Sequence, residues 1–218
     1  YEFHSVVQKL QTYCSEELGG FYLDVLKDRL YITGKTSLAR RSAQTALYHI
    51  RDLVLKLMAP VLSFTAEEAW RIVHPEDPTI LVRRWEDAFP KVPNAPRLLE
   101  KWQRLLAVRA LVLKELENLR VGGGIGSSLQ AEVTLTLAAD DYALFETLGD
   151  DLRFVLITSA ARIVKGKELR IEVTPSTGVK CERCWHWRHD VGRDVAHPTL
   201  CGRCVDNLFG EGEARRHA

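Results

Sequence analysis

Four of the five cysteines fall in two matched pairs near the end of the chain. Cys181 and Cys184 are followed by Cys201 and Cys204, a C-x2-C-x16-C-x2-C pattern. Each pair closes a tight turn that directs two sulfurs at one point. The sixteen residues between the pairs let a second turn complete a tetrahedron of thiolates, the geometry that zinc takes. Four sulfur ligands leave no position open to water or substrate, so the expected metal is structural and not catalytic. Three alternatives compete with four cysteines around zinc. One or two of His186, His189 and His197 could displace a cysteine. A redox dithiol would need only one CxxC, at the head of a helix, and an iron–sulfur cluster would also take thiolates. The matched spacing favours zinc. No secretory signal is visible, so the paired cysteines point to metal over disulfide and to a cytoplasmic setting. Cys14 stands alone on a helical side and is expected as a small buried hydrophobe.

Aromatic and basic residues crowd the same stretch: Arg183, Trp185, Trp187, Arg188, Arg193 and Arg203. That mixture suits stacking on unpaired bases and contact with phosphate. At least one tryptophan is expected to serve as hydrophobic cover for so small a module. From Lys180 to Arg216 there are seven basic residues against six acidic ones. Four thiolates around a divalent ion add roughly two negative charges, so this module would bind by shape and stacking. Phosphate contacts are expected from the helical region, where seven Lys/Arg face two Asp between Lys27 and Lys56. The whole chain carries a net charge of only +1, but the charge is segregated: Asp140, Asp141, Glu146, Asp150 and Asp151 form an acidic block. Segregation suits a long anionic partner touching part of the surface; solvated helix faces are the plainer account of any one cluster.

Nothing resembles a catalytic set. Glu67 and Glu68 read as part of a helix cap. "VGGGIGSSL" lacks the Gly-Lys-Ser/Thr ending of a phosphate loop and follows a helix instead of a strand. No run approaches the roughly 18 apolar residues of a membrane helix. The chain opens on Tyr1 in a helical pattern, as a segment cut from a longer protein would.

The elements that must position these residues are legible as period changes. Val6, Leu10, Tyr13 and Cys14 share a helical side, which Gly19-Gly20 is expected to end. Ala43, Ala46, Leu47, Ile50, Leu53, Val54, Leu57 and Met58 form an apolar stripe that Pro60 stops. Thr65 and Glu68 have the spacing of a capping box. "PKVPNAP", residues 90–96, is the expected domain boundary. Beyond it Leu98 to Leu119 mark a long amphipathic helix with Arg97, Lys101, Arg104 and Arg109 on its polar side. The period then falls to two: "AEVTLTLA", "FVLIT" and "LRIEVTP" read as strands, with "DYALFETL" as a helix after the first. The fold class is mainly α: a helical bundle, a small α+β domain and a four-cysteine zinc module. Domain boundaries follow at 1–92, 93–177 and 178–210, with 211–218 as a disordered tail.

Taken in order, "SEELGGFYLDVLKDRLY", "RRSAQTALYHIRDLVLKLMAPVLSFTAEEAW", "IGSSLQAEVTL" and the paired cysteines with "HPTLC" resemble the C-terminal third of bacterial isoleucyl-tRNA synthetases. The match runs nearly from Tyr1 to Phe209. Related class I synthetases for valine, leucine and methionine share the "MAP…S…AEE.W" helix pair, whereas "GSSLQAEV" and the zinc module look specific to the isoleucine enzyme. The resemblance implies a helical anticodon-binding domain, a junction domain and a zinc-binding domain folded toward the anticodon stem-loop. It implies a cytoplasmic parent, a monomer, that charges tRNA with isoleucine using ATP and magnesium. The class I signatures His-Ile-Gly-His and Lys-Met-Ser-Lys-Ser are absent from these residues, so this chain carries no catalytic centre. By the resemblance Cys181, Cys184, Cys201 and Cys204 hold zinc, and Trp185 faces the anticodon. Trp187, Arg183 and Arg203 are further candidates for tRNA contact, as are Lys27, Arg29, Arg40 and Arg41 by position and charge. The runner-up is a zinc-containing helical scaffold that binds another protein; a redox dithiol protein stands third.

Overall fold

The computed structural model describes residues 2–85 and 90–215. The chain divides into two compact units: Tyr1–Arg40 with Pro96–Ala218, and Arg41–Ala95.

The first unit opens with one long helical run, α1 (Phe3–Thr12), a π-helical stretch (Tyr13–Tyr22) and α2 (Leu23–Tyr31). The Gly19-Gly20 pair expected to end the helix instead lies inside it. A Cβ on Gly19 would stand 3.0 Å from the Cys14 carbonyl, five residues back, so glycine lets the wider π turn close. Cys14 lies in this stretch and is only half-buried, more exposed than expected of a small core hydrophobe. α3 (Leu38–Met58) begins in this unit, with Ser37 accepting the Arg40 amide at 3.2 Å as its cap.

The core of the unit lies between α5 (Ala95–Val121) and a three-stranded sheet. α5 buries Leu105, Val108, Val112 and Leu116, an i, i+3, i+7, i+11 stripe. β1 (Ala131–Leu137) alternates fully, burying Ala131, Val133, Leu135 and Leu137. The chain returns through α6 (Ala139–Glu146) and α7 (Leu152–Leu156) to β2 (Ala160–Lys165), parallel to β1. β3 (Arg170–Pro175) then pairs antiparallel on the other edge, giving the order β2-β1-β3. "FVLIT", expected as a strand, is mostly the helical turn α7: Phe154, Val155 and Leu156 are buried, so the run shows no period to read. The strand starts after it, at Ala160. Arg109 also departs from expectation. It is buried, with Nε donating to the Val155 carbonyl at 2.9 Å and the guanidinium 4.8 Å over the Phe21 ring.

The second unit holds the rest of α3, then α4 (Ser63–Val73) and a short 3-10 turn, Ile80–Val82. Its core is Ala59, Ala66, Trp70 and Ile80, with Leu55 and Met58 packed against it. The expected Thr65–Glu68 capping box does not form, because α4 already starts at Ser63. Glu67 does the tethering instead, accepting from Thr79 Oγ1 at 2.8 Å and from the Ile80 amide at 2.9 Å. Those bonds hold its carboxyl below its ordinary pKa.

Candidate metal centre and nucleic-acid interface

The zinc module runs from β4 (Val179–Lys180) through β5 (Trp187–Arg188) to α8 (Gly202–Phe209). Lys180 pairs with Trp187 across the β4–β5 ladder, folding the first CxxC into a knuckle. The second CxxC spans the N-terminus of α8. The Sγ atoms of Cys181, Cys184, Cys201 and Cys204 all lie within 4.8 Å of one another and all four residues are buried. A tetrahedron with metal–sulfur bonds of about 2.3 Å has its sulfurs about 3.8 Å apart. Cys184 and Cys201 Sγ are 3.8 Å apart. The donor set therefore fits a closed, four-sulfur structural zinc. The Cys201 amide also points at Cys181 Sγ at 3.4 Å, the kind of contact that stabilises a metal-bound thiolate.

His186, His189 and His197 lie outside the four-sulfur cluster. His186 is buried, its Nδ1 3.1 Å from the Cys184 carbonyl. Burial pushes its pKa down to about 4. His197 stacks on Phe209 with ring centroids 4.2 Å apart, and His189 Nε2 lies 3.9 Å from a Glu132 oxygen.

The knuckle presents Trp185. Its amide donates to the Cys181 carbonyl at 2.9 Å, and closing that turn puts its backbone at φ +64°, where glycine is the comfortable residue. The residue is 61% exposed, with Lys180 Nζ 5.6 Å from the ring centroid. A cleft of about 670 Å³ runs beside it, lined mainly by apolar side chains including Leu23, Tyr31, Ile32, Phe154 and Trp185. Trp187 is half-buried on β5, its amide donating to Ser159 Oγ at 2.6 Å, while the apolar residues packed with the four cysteines are Ile32, Val191 and Leu200.

Two arginines expected to face RNA turn inward. Arg183 donates through Nη1 to the Ile32 carbonyl at 2.9 Å and through Nη2 to the Tyr31 carbonyl at 3.2 Å. It caps α2, placing a cation on the negative end of the helix. The Arg203 side chain is 8% exposed, bonded through Nη2 to Asp28 Oδ1 and through Nε to both Glu213 oxygens at 2.8 Å. Burial opposes its charge, yet Asp28 and Glu213 raise its pKa above the ordinary arginine value. Both side chains are consumed by internal acceptors. Of the α2 candidates, Lys27 is exposed and pairs with Asp24 at 2.5 Å, while Arg29 is half-buried. Arg40 is half-buried in the first turn of α3; Arg41, in the other unit, is exposed.

The tail expected to be disordered is ordered through Arg215. Glu213 accepts from Asn207 Nδ2 at 3.0 Å, its amide donates to Asn207 Oδ1 at 3.1 Å, and the Arg215 side chain is 1% exposed against Asp28. Ion pairing replaces the apolar content that the composition lacks. The final three residues, also within the expected tail, lie outside the described residues. Lys180, Asp28, Glu213 and Arg215 were not singled out from the sequence. Lys180 was findable, since it directly precedes the first ligand.

No helix among the described residues is long and apolar enough to cross a membrane. Residues 1–135 match the family model described as the anticodon-binding domain of tRNA ligase, and residues 178–207 match the zinc finger found in FPG and IleRS. The whole chain is 60% identical to part of the isoleucine–tRNA ligase of Paraburkholderia xenovorans (strain LB400), covering 23% of that protein. It is 58% identical to part of the enzyme of Bordetella petrii (24% of its length) and 56% identical to that of Thiobacillus denitrificans (23%). The chain thus spans about a quarter of the length of these curated relatives. With more than half of its residues matched by the anticodon-binding model and its four cysteines gathered as a zinc finger requires, the chain belongs to the family of anticodon-binding domains of tRNA ligases.

Proposed function

We propose that this chain is the tRNA-binding part of an isoleucine–tRNA ligase, a cytoplasmic enzyme that charges tRNA with isoleucine using ATP and magnesium in protein synthesis. Catalysis belongs to residues outside this chain, and the chain acts as a monomer on the anticodon stem-loop. Cys181, Cys184, Cys201 and Cys204 hold one zinc ion whose role is to fold the knuckle. The helices of residues 1–92 contact the stem-loop, 93–177 join them to the knuckle, and 178–210 form the zinc module. Trp185 stacks on an unpaired base, and Lys180 beside it neutralises phosphate. Lys27 and Arg41 are the exposed cations on the helices that suit phosphate contact.

The single observation that carries this reading is Trp185. An exposed indole on a left-handed turn suits stacking on an unpaired base. The high identity to isoleucine–tRNA ligases over the full chain supports the same reading and not a protein-binding scaffold. Binding of the zinc-loaded chain to an isoleucine anticodon stem-loop, compared with an unrelated stem-loop at low and physiological salt, tests it. Preferential binding that weakens with salt is expected; equal binding of both loops refutes the specific claim.

A further inference from the structure

We propose that the C-terminal segment Glu213–Arg215 is a latch that docks the zinc module on α2 and so sets where Trp185 stands. One carboxylate oxygen, Asp28 Oδ1 on α2, receives both Arg203 from α8 and Arg215 from the tail. Arg203 is aimed at Asp28 by Glu213, which holds its Nε through both oxygens at 2.8 Å. Glu213 is held in turn by Asn207, one turn further along α8, at its amide and its carboxylate. The tail therefore folds back on α8 before Arg215 reaches α2. Arg215 Nε also lies 3.8 Å from Asp151 Oδ1, and its guanidinium carbon is 3.6 Å from the centre of the Phe154 ring on α7. Arg203 approaches the same ring at 4.8 Å.

Three elements, α2, α7 and α8, thus meet through two guanidinium groups. Both arginine side chains and the Asp28 side chain are close to fully buried, at 8%, 1% and 12% exposure. A surface ion pair would do little to hold a module in place, whereas here Arg203 bonds Asp28 and both Glu213 oxygens, and Arg215 bonds Asp28 with its Nε and Nη2 buried and without a hydrogen-bond partner, so slippage would leave buried charge unpaired. The end of α2 also supplies Tyr31 and its C-cap Ile32, whose carbonyls Arg183 grips two residues before Trp185. The tail and Arg183 thus fasten the same helix to the module, Arg183 through the knuckle that carries Trp185, and Asp28, Arg183 and Trp185 line one cleft. Asp28 and Arg215 are positioning residues: the consequence for RNA rests on the function proposed above, while the docking does not.

The test uses the zinc-loaded chain with Arg215→Met, Arg215→Lys and Glu213→Gln, read by zinc content, amide hydrogen exchange and stem-loop affinity. Arg215→Met is expected to keep one zinc per chain while amides of residues 28–33 and 182–187 exchange about tenfold faster. Stem-loop affinity falls about tenfold, and Trp185→Ala costs less in this background than in the wild type, because the two act through one geometry. Arg215→Lys recovers part of both effects. If Arg215→Met loses zinc, Glu213→Gln, which keeps the shape and the amide bonds, supplies the same readings. Unchanged exchange in both variants overturns the latch. Faster exchange with unchanged stem-loop affinity, or full additivity with Trp185→Ala, overturns its role in placing Trp185. Should the wild type fail to bind the stem-loop, the proposed function falls, and the exchange measurement still decides the docking.

Discussion

Replacing Asp28 by asparagine should be among the most destabilising near-isosteric changes in this chain. The carboxylate is 12% exposed and accepts from Arg203 and Arg215, whose side chains are 8% and 1% exposed. At about 3 Å and an effective dielectric of about 20, each contact carries about 5 kcal/mol of attraction before desolvation is subtracted. Breaking a buried pair by removing one partner costs about 3–5 kcal/mol, because the other charge stays buried. Arg203 retains Glu213, but Arg215 keeps only weaker contacts, 3.8 Å to Asp151 and 3.6 Å to the Phe154 ring. Asparagine keeps one acceptor oxygen, so the expected loss is about 3 kcal/mol, at the low end of that range. Urea denaturation of the zinc-loaded chain, followed by protection of the α2 and α8 amides, measures it. The loss should also depend on pH in a set direction. Burial opposes ionisation of Asp28, but the Arg203 and Arg215 charges outweigh it and hold the carboxyl below its ordinary pKa, with His186 the further titratable group facing it. A depressed carboxylate stabilises the fold above its unfolded pKa of about 3.9, and that contribution disappears as pH falls through the lower folded value. The wild type–variant difference should be full at neutral pH and shrink below about pH 4. A loss under about 1 kcal/mol, or one that grows on acidification, would refute the reasoning.

Other consequences are equally measurable. Trp185→Gly should leave the module more stable than Trp185→Ala by about 1 kcal/mol, reversing the usual order, because only glycine sits at φ +64° without strain; zinc competition or thermal unfolding reads the pair. Arg183→Met removes two charge-assisted bonds to the end of α2 and should cost about 2 kcal/mol in denaturation, with the salt slope of RNA binding unchanged. Stripping zinc with a chelator should abolish amide protection from about residue 178 to 208 and loosen Tyr31 and Ile32, while β1–β3 keep theirs; hydrogen exchange before and after chelation decides.

What could be read from the sequence follows from how each signal arises. Two CxxC turns sixteen residues apart constrain the backbone enough to imply a metal before any fold is known, and the four sulfurs do converge. β1 was legible because one face is buried and the other is not, so the period appears in the residues. Phe154 to Leu156 were misread for the opposite reason: every position is buried, and an apolar run without period does not separate helix from strand. Gly19 and Gly20 read as a stop because glycine usually breaks helices, whereas here the missing Cβ admits a π turn. The largest failure concerned charge. Arg109, Arg183 and Arg203 all read as surface cations, yet each is engaged by carbonyls, carboxylates or aromatic faces from distant parts of the chain. Those partners are a tertiary property, and no local pattern encodes them. The same oversight made the tail look disordered, since its few apolar residues gave no hint of an ionic anchor.

The central claim is that Trp185 is displayed to stack on a base of an isoleucine anticodon loop. The most direct measurement is the affinity of the zinc-loaded chain and its Trp185→Ala variant for that stem-loop, taken at two salt concentrations. The variant should keep its zinc, bind about 10- to 100-fold more weakly, and show the same salt dependence as the wild type. A zinc-loaded Trp185→Ala chain that binds the stem-loop as tightly as the wild type would contradict it.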